Sequence, residues 1–133
     1  MAQETNIKKR ILLVEDDKFI SMAYKDSLTR AGFEIITAAD GNEALKKIEE
    51  GKFDLILLDV IMPGKNGFEV LIEIKKNETL KNIPVIITSN LGQETDIKRG
   101  KDLGATDYLI KANLSVKEVV NKINGYLNIS RLL

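Results

Sequence analysis

Four apolar segments of this sequence run directly into residues that can do chemistry. Ile11–Val14 runs into Glu15-Asp16-Asp17, Leu55–Leu58 into Asp59, Val85–Thr88 into Ser89-Asn90, and Tyr108–Ile110 into Lys111. The chain has no Cys and no His. That excludes thiol catalysis, imidazole bases, disulfides and the usual zinc sites, so any nucleophile must be a carboxylate, a hydroxyl or a lysine. Asp59 is the sharpest candidate, as a nucleophile or a metal ligand. It leaves the most hydrophobic segment, and Pro63, Gly64 and Gly67 stop regular structure straight after it. The competing reading is an acid that caps a loop or helix. Asp17 reads first as the cap of the helix that follows it. Taken singly, Lys111 is also compatible with an ordinary solvated lysine and Ser89 with a turn residue.

The elements that must position these residues follow from the periodicity. Ile11–Val14 and Leu55–Leu58 are unbroken apolar runs, which a strand sustains only when both its faces are covered. A first helix carries Ile20, Ala23, Tyr24, Leu28 and Ala31 on one stripe and stops at Gly32. Glu34 to Ala38 is a second strand. Asp40 and Glu43 form a capping box for a second helix carrying Ala44, Leu45 and Ile48, closed by Gly51. Phe68, Leu71, Ile72 and Lys75 mark one face of a third helix, with Val70 and Ile74 widening its apolar stripe. Pro84 opens a fourth strand, as proline is tolerated at a first strand position. Gln93 to Leu103 has helical length but only Ile97 and Leu103 as main anchors, and Gly100 costs about 1 kcal/mol relative to alanine, so it should be the least stable helix. Tyr108 to Ile110 is a fifth strand ending at Lys111. Ser115 and Glu118 box the start of a last helix burying Val116, Val119, Val120, Ile123 and Leu127.

Five strand–helix alternations with short connections call for a flavodoxin-like α/β fold: a doubly wound, parallel five-stranded sheet of order 2-1-3-4-5 with helices on both faces. The 133 residues fit one domain, expected over residues 8–128, with a short polar arm at 1–7 and a continuation of the last helix at 129–133. In that strand order the switch point lies between strands one and three, which gathers Glu15, Asp16 and Asp59 in one crevice. Three carboxylates so close repel one another, and a hard divalent cation relieves them. A few carboxylates with waters and a backbone carbonyl suit Mg²⁺ better than an all-protein Ca²⁺ cage. Lys111 and Ser89 add a cation and a hydroxyl donor at the same edge, and both suit a phosphoryl group on Asp59. Four strand ends thus agree on one chemistry.

The residues that carry this chemistry resemble a response-regulator receiver domain of two-component signalling, of the single-domain, chemotaxis-regulator kind. The matching pieces are Ile-Leu-Leu-Val-Glu-Asp-Asp at 11 to 17, Asp-Val-Ile-Met-Pro-Gly-Lys-Asn-Gly at 59 to 67, Ile-Pro-Val-Ile-Ile-Thr-Ser at 83 to 89, and Gly-Ala-Thr-Asp-Tyr-Leu-Ile-Lys at 104 to 111. The resemblance implies that Asp59 is the phosphoacceptor, Asp16 a direct Mg²⁺ ligand, Glu15 a ligand through water and the backbone carbonyl of Ile61 a further ligand. It implies the hydroxyl switch role for Ser89, the aromatic switch role for Tyr108 and the phosphate-binding role for Lys111. Ser89 rather than Thr88 takes the hydroxyl role because it is the fifth residue after Pro84, where the family places it. Two positions depart from the pattern: Asn90 stands where a small alanine is usual, and Ala112 where a proline usually follows the lysine. A cis bond before alanine would cost roughly 3 to 4 kcal/mol, so Lys111–Ala112 is expected to be trans.

The resemblance implies a stand-alone signalling receiver, not an enzyme with a substrate of its own. Its phosphoryl donor would be the phosphohistidine of a sensor histidine kinase or histidine phosphotransfer protein, and it would act on a downstream protein target. A homodimer through the fourth helix, fifth strand and fifth helix stays open. An aspartyl-nucleophile phosphatase of the haloacid-dehalogenase type needs a second Asp two residues after the first, and that position is Ile61. A flavodoxin-like FMN carrier needs a hydroxyl- and amide-rich loop after strand one, where Glu15-Asp16-Asp17 would repel phosphate. A docking scaffold without phosphorylation is opposed by the intact acids. Twenty Lys+Arg balance twenty Asp+Glu, so net charge points to neither nucleic acid nor a membrane as partner. The sequence has no apolar stretch of membrane-spanning length and no signal-peptide pattern at its start, so a cytoplasmic location is expected.

Overall fold

The computed structural model describes residues 8–128. The arm expected at 1–7 and the helix continuation expected at 129–133 lie outside the described residues. The elements alternate throughout: β1 (Arg10–Val14), α1 (Lys18–Arg30), β2 (Glu34–Ala38), α2 (Gly41–Glu50), β3 (Leu55–Leu58), α3 (Gly67–Lys76), β4 (Val85–Ser89), α4 (Glu94–Asp102), β5 (Asp107–Ile110) and α5 (Val116–Asn128). A single 3₁₀ turn, Lys111–Asn113, links β5 to α5. The sheet order is β2-β1-β3-β4-β5, with the four pairings parallel.

Alternation along the strands divides the core into two layers. Leu12, Val14, Ile56, Leu58, Val85, Ile87 and Tyr108 face α2, α3 and α4, while Ile11, Leu13, Leu55, Leu57, Ile86 and Leu109 face α1 and α5. The strands β1, β3 and β4 are therefore apolar on both faces, as the unbroken runs require. Among the described residues no helix is long and apolar enough to cross a membrane, and all peptide bonds are trans, Lys111–Ala112 included.

Several local expectations change. In α1, Tyr24 and Leu28 are buried but Ala23 and Ala31 are exposed, because the stripe that meets the sheet is narrower than the run of apolar letters. The buried face of α3 is Phe68, Val70, Leu71 and Ile74, with Ile72 and Lys75 only half-buried at its border. Asp40 caps α2 through the Glu43 backbone N–H (2.8 Å), yet Glu43 reaches back to the N–H of Ala39 rather than Asp40, so the box closes one residue early. The Ser115–Glu118 box forms in both directions, at 3.1 and 2.8 Å.

Candidate functional site

Parallel pairing carries β1 and β3 to one edge and holds the residues just past their ends in register. The backbone N–H of Glu15 donates to the Ala38 carbonyl and that of Asp59 to the Val14 carbonyl, each at 3.0 Å. The two acids thus stand on backbone still fixed by the sheet. Asp17 is committed to α1, accepting from Phe19 N–H (2.9 Å) and Ile20 N–H (3.1 Å), while its own N–H donates to Glu15 Oε2 at 3.1 Å. Asp16, between them, is exposed.

The loop after Asp59 returns on itself tightly. Gly67 N–H donates to the Val60 carbonyl at 2.8 Å, and a Cβ at Gly67 would lie 2.2 Å from the Asp59 carbonyl oxygen. Only glycine permits that return. Asn66 then starts α3 with a full capping box on Glu69, so the loop is pinned at both ends. Asp59 is itself only 5% exposed, and its Oδ1 accepts the Val60 N–H at 2.8 Å.

Carboxylate oxygens of Glu15, Asp16 and Asp59 all lie within 4.8 Å of one another, with Glu15 and Asp59 buried. Lys111 reaches the crevice from the end of β5 and places Nζ 2.5 Å from Glu15 Oε1 and 3.3 Å from Asp59 Oδ2. Burial pushes the Glu15 carboxyl up, against hydrogen bonds from Lys111 and the Asp17 N–H that lower it, and the charge of Asp59 adds to the rise. Burial likewise pushes Asp59 up, with the charge and hydrogen bond of Lys111 and the Val60 N–H opposing and Asp16 adding to the rise. Burial alone would depress Lys111, but its bond to Glu15 and the charges of Asp59 and Glu15 hold it above the ordinary lysine value. A crevice with more negative than positive charge, oxygen donors only and one exposed member suits a hard cation with part of its water shell.

Ser89, fully buried at the end of β4, turns its hydroxyl to its own loop: Oγ accepts the Leu91 N–H at 3.1 Å. Thr88 points to the opposite face of the strand. The Tyr108 ring is buried, 7% exposed, and its hydroxyl donates to the Leu91 carbonyl at 2.6 Å. Ser89 and Tyr108 therefore hold the two sides of one peptide segment. Ile61, two residues after Asp59, is 58% exposed.

The structure thus brings together Glu15, Asp16, Asp59 and Lys111, and joins Ser89 and Tyr108 to each other through Leu91 rather than to that cluster by a direct hydrogen bond. Sequence reasoning missed two features. The pairing of Lys111 with Glu15 has no sequence signal beyond two charges at neighbouring strand ends. The other is the contact of α4 with Tyr108 at Gly100, where a Cβ would lie 2.8 Å from Tyr108 Cδ2; its only signal was a glycine inside a helical stretch.

Comparison with known proteins agrees with this geometry. Residues 11–124 match the family described as response regulator receiver domain. Among curated proteins, the chain is 36% identical over 126 residues to the alkaline phosphatase synthesis transcriptional regulatory protein PhoP of Bacillus subtilis, covering 95% of this chain and 51% of that one. It is 35% identical over 119 residues to the chemotaxis protein CheY of Thermotoga maritima, covering 87% of this chain and 98% of that one. The chain spans about half the length of PhoP and of other curated transcriptional regulators it matches. Among solved structures, the chemotaxis protein CheY4 of Vibrio cholerae superposes with a TM-score of 0.83 at 30% identity, covering 89% of this chain and 98% of that one. The phosphorylated cyanobacterial phytochrome response regulator RcpA gives 0.80 at 38% identity, covering 90% and 94%.

Proposed function

Since the chain belongs to the response regulator receiver domain family, we propose that it accepts a phosphoryl group on Asp59 from a partner's phosphohistidine and signals through the surface formed by α4, β5 and α5. One observation carries this reading. A buried carboxylate at a strand end lies 3.3 Å from a lysine and inside a cluster of three acids. The sequence contains no His, so the donor imidazole lies outside these 133 residues, on a sensor histidine kinase or a histidine phosphotransfer protein.

In the transfer, a carboxylate oxygen of Asp59 attacks phosphorus, the P–N bond to the donor imidazole breaks, and the ring leaves with the electron pair and takes a proton. The product is an acyl phosphate on Asp59. Mg²⁺ held by Glu15, Asp16, Asp59 and the Ile61 carbonyl would supply neutralisation of charge on the phosphoryl oxygens. Lys111 exchanges its bond with Glu15 for one with the new phosphoryl group, a short swing since it already lies between the two acids. Val60 N–H orients Asp59 through Oδ1.

The signal leaves through Ser89. When its hydroxyl turns to the phosphoryl group, Leu91 N–H loses its acceptor, and the same peptide segment holds the Tyr108 hydroxyl. Because the Tyr108 ring is buried already, the change at Tyr108 is a shift of its partner rather than a first entry into the core. The test is treatment with acetyl phosphate and Mg²⁺. Wild type should gain one acyl phosphate and Asp59→Asn none while keeping its fold; incorporation that persists in the variant would sink the assignment.

A further inference from the structure

Gly100 is a glycine in the interior of α4, and it is the one buried residue among the helix's nine. A Cβ there would lie 2.8 Å from Tyr108 Cδ2 and 2.9 Å from Ile87 Cδ1. Both atoms belong to buried side chains, Ile87 fully so, so neither can give way freely. The bare backbone of α4 is therefore where the Tyr108 ring rests. The neighbouring residue adds a second tie: the Arg99 guanidinium carbon lies 4.7 Å from the centroid of the Phe68 ring, at the start of α3. Otherwise α4 rests on the half-buried Ile97 and Leu103.

We infer that Gly100 is a positioning residue, a seat for the Tyr108 ring that fixes α4 in its unmodified position, with Arg99 over Phe68 as the second point of the latch. A shift of the ring unseats the helix as a unit. The glycine does two things at once. It lowers the intrinsic stability of α4, and it puts part of what stability remains on the contact with Tyr108 of β5. The contrast within the molecule is Gly125 of α5, where a Cβ would meet nothing within 4 Å. There a side chain changes only helix propensity.

The link to phosphorylation rests on the phosphoacceptor reading above; the seat itself does not. If the unseated position is the one that takes the phosphoryl group, a variant in which more of the protein is already unseated takes the group faster, in proportion to that population.

The experiment is amide hydrogen exchange of the full chain, with acetyl phosphate modification of Asp59 measured in parallel, on wild type, Gly100→Ala and Gly125→Ala. A Gly→Ala change in a helix with nothing above it slows exchange, as expected for Gly125→Ala. Gly100→Ala should do the reverse, speeding exchange across residues 94–102 by about fivefold or more and speeding modification by about fivefold as the population of the unseated form rises. In a background of Ile87→Val and Tyr108→Ala, which removes both facing atoms, adding Gly100→Ala should slow α4 exchange instead. That sign reversal keeps the test valid should the single variant unfold. Slower α4 exchange in Gly100→Ala, or no reversal in the background, overturns the seat. Faster exchange with an unchanged modification rate overturns the coupling. If wild type takes no phosphoryl group at all, the functional reading fails while the exchange comparison still decides the seat.

Discussion

Replacing Lys111 with methionine keeps most of the side-chain volume and removes the only cation in direct contact with Glu15 and Asp59 among the described residues. The lysine and its two partners are between 3% and 12% exposed, so solvent does little to screen the loss. Breaking a buried ion pair by removing one partner costs about 3–5 kcal/mol. Here part of that is recovered by protonation, since both carboxyls are already pushed up by burial. The sign follows from proton counting. A carboxyl raised in the folded state holds stability that is present below its unfolded value and lost as pH rises through its folded value. Lys111, itself raised, contributes stability at all pH below the ordinary lysine value and loses it only as pH rises through its folded value. Without it, both carboxyls rise further, so the difference between wild type and variant is widest near neutrality and narrows in acid. We expect a loss of about 3 kcal/mol at about pH 7.5 in chelator and about 1 kcal/mol at about pH 5. At roughly 3–5 °C per kcal/mol for a domain of this size, the neutral-pH loss is about 10 °C in Tm. Urea unfolding at both pH values, with and without Mg²⁺, is the assay, and Mg²⁺ should stabilise the variant more than wild type. A loss equal at both pH values and untouched by Mg²⁺ would refute the reasoning, showing that the lysine acts only through its packed stem.

Asp16→Ala removes an exposed ligand and relieves repulsion, so it should weaken Mg²⁺ binding at least about tenfold with a stability change under about 1 kcal/mol; unchanged affinity by fluorescence titration would contradict the ligand role. Ser89→Ala should still be phosphorylated, but the exchange response of α4 to beryllofluoride should fall, since Leu91 N–H no longer reports on the acceptor; a full response would remove Ser89 from the relay. Ile61 and Leu91 line one pocket beside the loop after Asp59 and neither side chain can activate a water, so a form phosphorylated on Asp59 should decay slowly. Ile61→Asn or Leu91→Glu should hasten first-order loss of the group, and a fast wild-type decay that neither change accelerates would defeat this.

The sheet order and both core layers were legible because Ile11–Val14, Leu55–Leu58 and Val85–Ile87 can be satisfied only by a doubly covered parallel sheet. Glu15, Asp59 and Lys111 were legible because each directly follows a strand, where register fixes position, and Asp16 because it is one residue further along. What periodicity could not show was direction and distance within the crevice. It gave Lys111 a phosphoryl partner but not its bond to Glu15, and placed Tyr108 at the edge but not its hydroxyl on the Leu91 carbonyl. It treated Gly100 as a defect in a helix, since a close approach between elements distant in sequence leaves no local pattern. The stripe of α1 was overdrawn at Ala23 and Ala31 for a related reason: alanine fits either side of a helix, so its letter carries little information about facing.

The most direct measurement is transfer from a radiolabelled phosphohistidine kinase to this chain in Mg²⁺, with the label located by hydroxylamine cleavage and peptide mapping. Label should leave the kinase histidine and arrive on Asp59 as a hydroxylamine-labile acyl phosphate, with transfer lost in chelator and in Asp59→Asn. Label on a hydroxyl such as Ser89, or transfer undiminished in Asp59→Asn, would contradict the central claim that Asp59 is the phosphoacceptor.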